Sequence, residues 1–207
     1  MRWTRRKEAR PGEILDAALD LFVAKGFAAT KMEDIARRAG VTAGTLYRYY
    51  ANKEEIFKAV IRESLVPQLD EGEQLLSGFT GQTSAAELLE MVIRTWWRLI
   101  GATRLSGIPK LVIAEASNFP ELARYHREQV IERGEKLIGR AIEYGIARGE
   151  FRPMRLEVAV RVICAPVVMA MLWKHSMPQC GEEFEPEPYL DEVIRTLVQG
   201  LAATPSP

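Results

Sequence analysis

Apolar residues recur at helical spacing along nearly the whole of this chain. Ile14, Leu15, Ala18, Leu19 and Phe22 fall on one face of a first helix, which starts near Pro11 and is capped by Gly26. Thr30 and Glu33 have the spacing of a capping box for a second helix, with Met32, Ile35, Ala36 and Ala39 inward and Gly40 at its end. Thr42 is placed to cap a short third helix reaching about Tyr50, with Leu46 and Tyr50 facing inward. Asn52 and Glu55 read as a second capping box, opening a fourth helix with Ile56, Phe57, Val60 and Ile61 inward.

Beyond Pro67 the elements lengthen. Segment 84–104 carries Leu88, Leu89, Val92, Ile93, Trp96 and Trp97, and a shorter helix covers 108–117. Asn118, Pro120 and Glu121 open a long helix ending at Gly149, with Val130, Ile131, Leu137, Ile138, Ala141 and Ile142 at helical period. Segment 155–175 is almost wholly apolar from Val158 to Trp173, with Pro166 inside it. A helix apolar all round is expected to be buried on all sides, here by the core and a partner subunit. A loop rich in Pro and Glu (178–188) precedes a last helix of about 189–203. No alternating strand pattern or hairpin turn interrupts this series, so the expected fold is all-α with about nine helices.

The chain has 207 residues, 47% of them hydrophobic and 27% charged, which predicts a soluble globular protein. No apolar run approaches the roughly 20 residues of a membrane span, and the basic N-terminus lacks a signal-peptide core, so a cytoplasmic protein without membrane contact is expected. Cys164 and Cys180 lack metal-ligand spacing and read as reduced thiols. The formal net charge is zero, but its distribution is uneven. Residues 1–62 hold 13 Lys/Arg against 8 Asp/Glu, whereas residues 63–207 hold 15 against 20. One basic end on an acidic body suits a protein that offers one face to a polyanion. Arg2, Arg5, Arg6 and Lys7 form a basic arm in front of that end.

The third helix has the composition of a probe for the DNA major groove. Thr42-Ala43-Gly44-Thr45 puts small side chains at its N-terminal end, where backbone must approach base edges. Glycine inside a helix costs about 1 kcal/mol relative to alanine, so a packing or approach constraint is expected at Gly44. Tyr47, Arg48 and Tyr49 flank this edge with donors suited to phosphates. Lys53 in the first turn of the fourth helix, and Thr30 with Lys31 at the start of the second, complete the candidate DNA-binding set.

The stretch Gly26–Phe57 resembles the tetracycline-repressor (TetR) family of bacterial transcription regulators. The resemblance is carried by Gly26-Phe27, Thr30, Asp34-Ile35-Ala36, Ala39-Gly40-Val41, Gly44-Thr45-Leu46-Tyr47, Tyr49 and Asn52-Lys53-Glu54, and it covers about residues 10–60. It implies an all-helical homodimer whose N-terminal helix-turn-helix domain (1–54) binds DNA and whose helical remainder (55–207) binds an effector and dimerises. It also implies that Thr42, Ala43, Gly44 and Thr45 contact the groove, while Thr30, Lys31, Tyr47, Tyr49 and Lys53 contact phosphates. Tyr50 stands where the family more often has Phe, and Ala43 where Lys or Pro is frequent.

The family's pockets lie among the long C-terminal helices. Candidate lining residues are Trp96, Trp97, Ile100, Phe119, Tyr125, Met169 and Trp173, with Arg104, Glu115 and His126 as polar anchors. The helix 155–175 and the last helix, with Tyr189, Leu190, Val193, Ile194, Leu197 and Leu201, form the expected dimer surface. Paired recognition helices then require a palindromic operator. No nucleophile–base pair, phosphate-binding glycine loop or metal cluster is evident, so neither an enzyme nor a cofactor or metal is expected. The resulting expectation is a repressor released by a small, largely apolar effector. The alternatives are an activator, a regulator without an effector, or a helical ligand-binding protein or enzyme that no longer binds DNA.

Overall fold

The computed structural model describes residues 10–77, 82–177 and 184–203. The basic arm, Cys180, most of the Pro- and Glu-rich loop and the tail from residue 204 lie outside the described residues.

Three short helices come first: α1 (Arg10–Lys25), α2 (Met32–Arg38) and α3 (Ala43–Tyr49). Helix α4 begins as Lys53–Val60, widens through a π-helical turn at Ile61–Leu65 and continues as Val66–Ser77. Helix α5 is Ala85–Trp96 with a wide last turn, Trp97–Gly101. Helix α6 opens with a tight turn, Arg104–Ser106, and runs on as Gly107–Glu115. Helix α7 joins Pro120–His126, the wide turn Arg127–Ile131 and Glu132–Ala147. Helices α8 (Leu156–Ser176) and α9 (Pro186–Leu201) complete the fold. Among the described residues the only β-type pairing is an isolated bridge between Phe151 and Ala202. Among the described residues the protein is thus all-α with nine helices, in the chain order read from the sequence.

The head is built on three rings. Phe22 of α1, Phe27 of the following turn and Phe57 of α4 lie with centroids 5.1–6.3 Å apart, surrounded by Ile14, Ile35, Leu46 and Ile56, all buried. The body core contains Leu89 and Ile93 of α5, Ile138 and Ile142 of α7, and Ile163, Val167 and Met171 of α8. Position 54/55, the expected domain division, falls at the start of α4, which passes from head to body without a linker.

Two local expectations need correction. Thr30 is not the cap of α2: Lys31 occupies that position and makes no side-chain cap bond. Gly26 leaves α1 with φ +84°, and its carbonyl has no helical partner. The Thr30 hydroxyl turns inward to that carbonyl at 2.7 Å and to Leu21 O at 3.3 Å. At the second expected box, Asn52 Oδ1 does accept from Glu55 N at 2.9 Å, but the Glu55 carboxylate pairs with Lys58 instead of returning to Asn52. The reciprocal capping box is at Ser84 and Glu87, opening α5, where Glu87 Oε2 accepts from Ser84 N at 2.9 Å and Ser84 Oγ from Glu87 N at 3.2 Å.

Helix α8 is buried on one side only within this chain. Ala159, Val160, Ile163, Val167, Ala170 and Met171 form its buried face, whereas Val158, Val162 and Met169 are exposed on this chain. At 21 residues it is long and apolar enough to cross a membrane by length and composition, contrary to the expectation that no apolar run reaches that size. In this fold it packs on α6 and α7.

Candidate nucleic-acid interface and effector cavity

The N-terminal end of α3 is an open edge. Thr42 caps the helix, its Oγ1 accepting from Thr45 N at 3.1 Å and lying 2.9 Å from Thr45 Oγ1. Ala43 and Gly44 are exposed, and a Cβ added to Gly44 would meet no atom within 4 Å. Packing within the chain therefore does not require glycine here. Of the two constraints expected at this position, approach by something outside the chain is left. Leu46, fully buried, pins the helix from beneath. Tyr47 is 49% exposed, and Arg48 is exposed with its guanidinium 5.7 Å from the Tyr49 ring centroid. Lys31 is exposed on the neighbouring helix start.

Thr30 and Lys53 do not belong to this edge. Thr30 is 1% exposed, so its hydroxyl cannot reach a phosphate. The Lys53 ammonium is turned inward, donating to Phe27 O at 2.8 Å, Ala28 O at 3.1 Å and Thr30 O at 3.3 Å. It also lies 4.6 Å from the Phe27 ring centroid and 5.6 Å from that of Phe119. Opposition to the helix dipole is outweighed by three carbonyls of the α1–α2 turn that converge on the ammonium, of which Phe27 O also accepts from Thr30 N at 3.3 Å. We therefore expect Lys53→Met to lower stability by about 1–2 kcal/mol while leaving the salt dependence of DNA binding as in the wild type. Urea unfolding and affinity against salt measure both. A salt slope flatter by about one would restore the phosphate assignment.

Several candidates for the ligand pocket prove to join head and body. Arg104 at the start of α6 pairs with Asp16 of α1 and lies 3.7 Å from Asp20. Glu115 at the end of α6 accepts from Ala28 N at 3.0 Å. Phe119 stacks edge-on to Phe27 at 4.8 Å. Trp97 is buried over Gly101 within α5, Tyr125 is half-buried, and Trp173 meets Phe184 and Tyr189 where α8 faces α9. None of these six lines the main cavity.

That cavity has a volume of about 460 Å³ and is walled by α4, α5, α6, α7 and α8. Trp96, Ile100, His126 and Met169 are the expected residues found in its wall. The sequence reading missed the contribution of α4 (Leu65, Leu69, Gly72 and Leu76) and the polar residues Gln68, Thr95, Glu135 and Arg161. The spacing of Leu65, Leu69, Gly72 and Leu76 on one helical face was the available signal. Cys164 also lines the wall, and burial together with the nearby Glu135 pushes its thiol up to about 12.

His126 is the wall's buried polar group, 5% exposed, and its Nδ1 has no hydrogen-bond partner. Desolvation lowers its pKa from 6.5 to about 4, so the ring is neutral at pH 7. Between those values the unfolded chain binds more protons at this residue than the folded one, so stability rises with pH. Acidifying from pH 7 to 4 is expected to remove up to about 3 kcal/mol through this group. The loss should be missing from a His126→Phe variant when urea unfolding is compared at the two pH values. Equal losses in both proteins would contradict the assignment.

A groove-sized edge on a short third helix, borne by a helical body with an apolar cavity, is the architecture of a helix-turn-helix regulator of transcription. Residues 14–60 match the family of bacterial regulatory proteins named tetR, and residues 80–200 match the tetracyclin repressor-like C-terminal domain. The chain belongs to the TetR family of DNA-binding transcriptional regulators. It is 27% identical over 207 residues to the HTH-type transcriptional regulator YdeS of Bacillus subtilis, covering 96% of this chain and 93% of the relative. It is 26% identical over 204 residues to the transcriptional repressor KstR2 of Mycolicibacterium smegmatis, covering 92% of each. The fold is shared with the transcriptional regulator FadR of Bacillus subtilis in complex with stearoyl-CoA, with a TM-score of 0.71 at 21% identity over 92% of this chain and 98% of that one.

Proposed function

We propose that this protein is a cytoplasmic, dimeric repressor that occupies a palindromic operator and is released when a largely apolar effector enters the cavity. The observation that carries this reading is the position of α6. One side of it meets α1 through Gly107 and Val23, while Pro109, Val112 and Ile113 belong to the cavity wall. A ligand that alters the wall therefore acts on the element that seats the head. Release requires that the effector bind the DNA-incompetent arrangement more tightly than the competent one.

In this reading residues 1–54 carry the groove edge, Thr42, Ala43, Gly44 and Thr45, flanked by Lys31, Tyr47, Arg48 and Tyr49. Residues 55–207 carry the effector cavity and the dimer surface. The exposed Val158, Val162 and Met169 of α8 favour a second copy as their cover, and a two-fold axis would set two α3 helices roughly 34–36 Å apart. The printed names of two similar proteins, a repressor and a regulator in complex with stearoyl-CoA, favour repression and an effector with a long apolar part. A mobility shift on the protein's own upstream region tests the reading. Specific, salt-sensitive retardation at two chains per site is expected, and its absence on every genomic fragment would refute it.

A further inference from the structure

His126 is the buried polar side chain of a mostly apolar wall, in which Gln68, Thr95 and Glu135 are only part-buried and Arg161 is exposed. The same wall holds Val130, Ile138 and Leu105, and His126 Nδ1 has no hydrogen-bond partner among the described residues. Buried polar groups in folded proteins are almost always satisfied, so an unpartnered imidazole at a cavity wall points to a partner that comes and goes. The chemistry of that partner can be narrowed. The Cys164 thiol stays protonated in its surroundings, Glu135 adds negative charge to the wall, and the one guanidinium there, Arg161, belongs to an exposed residue. No carboxylate pairs with the imidazole to hold a proton on it, and burial keeps the ring neutral. A neutral imidazole offers one N–H donor and one lone pair. It matches an uncharged oxygen and has no charge with which to hold a carboxylate.

We infer that the cavity takes a ligand with a long apolar part and one uncharged oxygen, as in a ketone, ester, thioester or alcohol, and that His126 binds that oxygen. The inference rests on the effector reading above but concerns the ligand's chemistry alone. A half-turn about the Cβ–Cγ bond exchanges Nδ1 with Cδ2 and Nε2 with Cε1 with little change in shape, so either edge of the ring can present a nitrogen. The apolar wall supplies affinity, and the contact to the buried imidazole fixes orientation.

The test is calorimetric titration of the full chain with three probes of equal chain length: decan-2-one, decanoate and decyltrimethylammonium. The wild type is expected to bind the ketone about tenfold or more tightly than decanoate. His126→Phe should weaken the ketone by about tenfold and leave the ammonium probe within about twofold. His126→Gln, which keeps a donor and an acceptor, should recover part of the loss and serves if the Phe variant does not fold. Decanoate binding as tightly as the ketone, equal effects of His126→Phe on all probes, or no ketone binding at all would each overturn the assignment. Operator occupancy, followed with the same ketone, separates this inference from the effector reading. Binding that depends on His126 without operator release would retain the assignment and reject the ketone class as the releasing signal.

Discussion

Gly44→Leu is expected to leave the protein folded and to reduce operator affinity at least a hundredfold, by about 3 kcal/mol. The two halves of that expectation have separate physical origins. Nothing lies within 4 Å of a Cβ at position 44, so the new side chain leaves the backbone into open space. Leucine is also about 1 kcal/mol better than glycine in a helix, so the thermal midpoint should hold or rise. In the proposed function the same open space, between Thr42 and Thr45, receives the duplex, and a branched side chain there would hold backbone and base edges apart. Thermal unfolding and fluorescence anisotropy on operator DNA measure the two effects. Loss of folding together with binding would mean that Gly44 serves packing; retention of both would remove α3 from the groove.

Gly107→Ala addresses the other end of the mechanism. A Cβ on Gly107 would stand 2.5 Å from Val23 Cγ2 and 2.7 Å from Cγ1, closer than van der Waals contact allows, so α1 and α6 must separate or Val23 must leave its place. Overpacking of this kind costs typically about 1–3 kcal/mol, and here it falls on the seam that orients the head. Stability should drop in that range, and operator affinity should fall with it, since the spacing of two α3 helices depends on how each head is seated. Val23→Ala removes the methyl groups in the way. The double variant is therefore expected to recover most of both losses, with a coupling energy of about 1 kcal/mol or more. Additive losses in the double-mutant cycle would show that the seam is not where Gly107 acts.

How much of this was legible in the sequence depended on range. Helix number and order were, because caps and periodicity are local: Thr42, Asn52, Gly26 and Gly40 act within a few residues of themselves. Thr30 was misread because two local partners competed for its hydroxyl. A cap looks forward to α2, but the unpaired carbonyl of Gly26 lies behind it, and sequence spacing does not rank the two. Lys53 was misread for a related reason. Its three acceptors lie 23–26 residues earlier in the chain, and the Phe119 ring comes from another part of the fold altogether.

The body was the harder part to read. Trp96 and Trp97 are adjacent, yet one reaches the cavity and the other covers Gly101, since a rotation of about 100° per residue separates them. Arg104, Glu115 and Phe119 were expected to hold a ligand and instead hold the head. Aromatic and charged residues at helical spacing serve a cavity and a seam equally well. Only the packing of five helices decides between them. His126 is the exception that could be sharpened: its burial and missing partner turn a residue named as one of several anchors into a specific claim about ligand chemistry.

The most direct test of the account is footprinting of the protein's own upstream region by wild type and Gly44→Leu across a range of salt. Two protected half-sites about one helical turn apart, steeply weakened by salt, are expected for the wild type, and no sequence-specific protection by the folded variant. Specific protection by Gly44→Leu at wild-type affinity would contradict it.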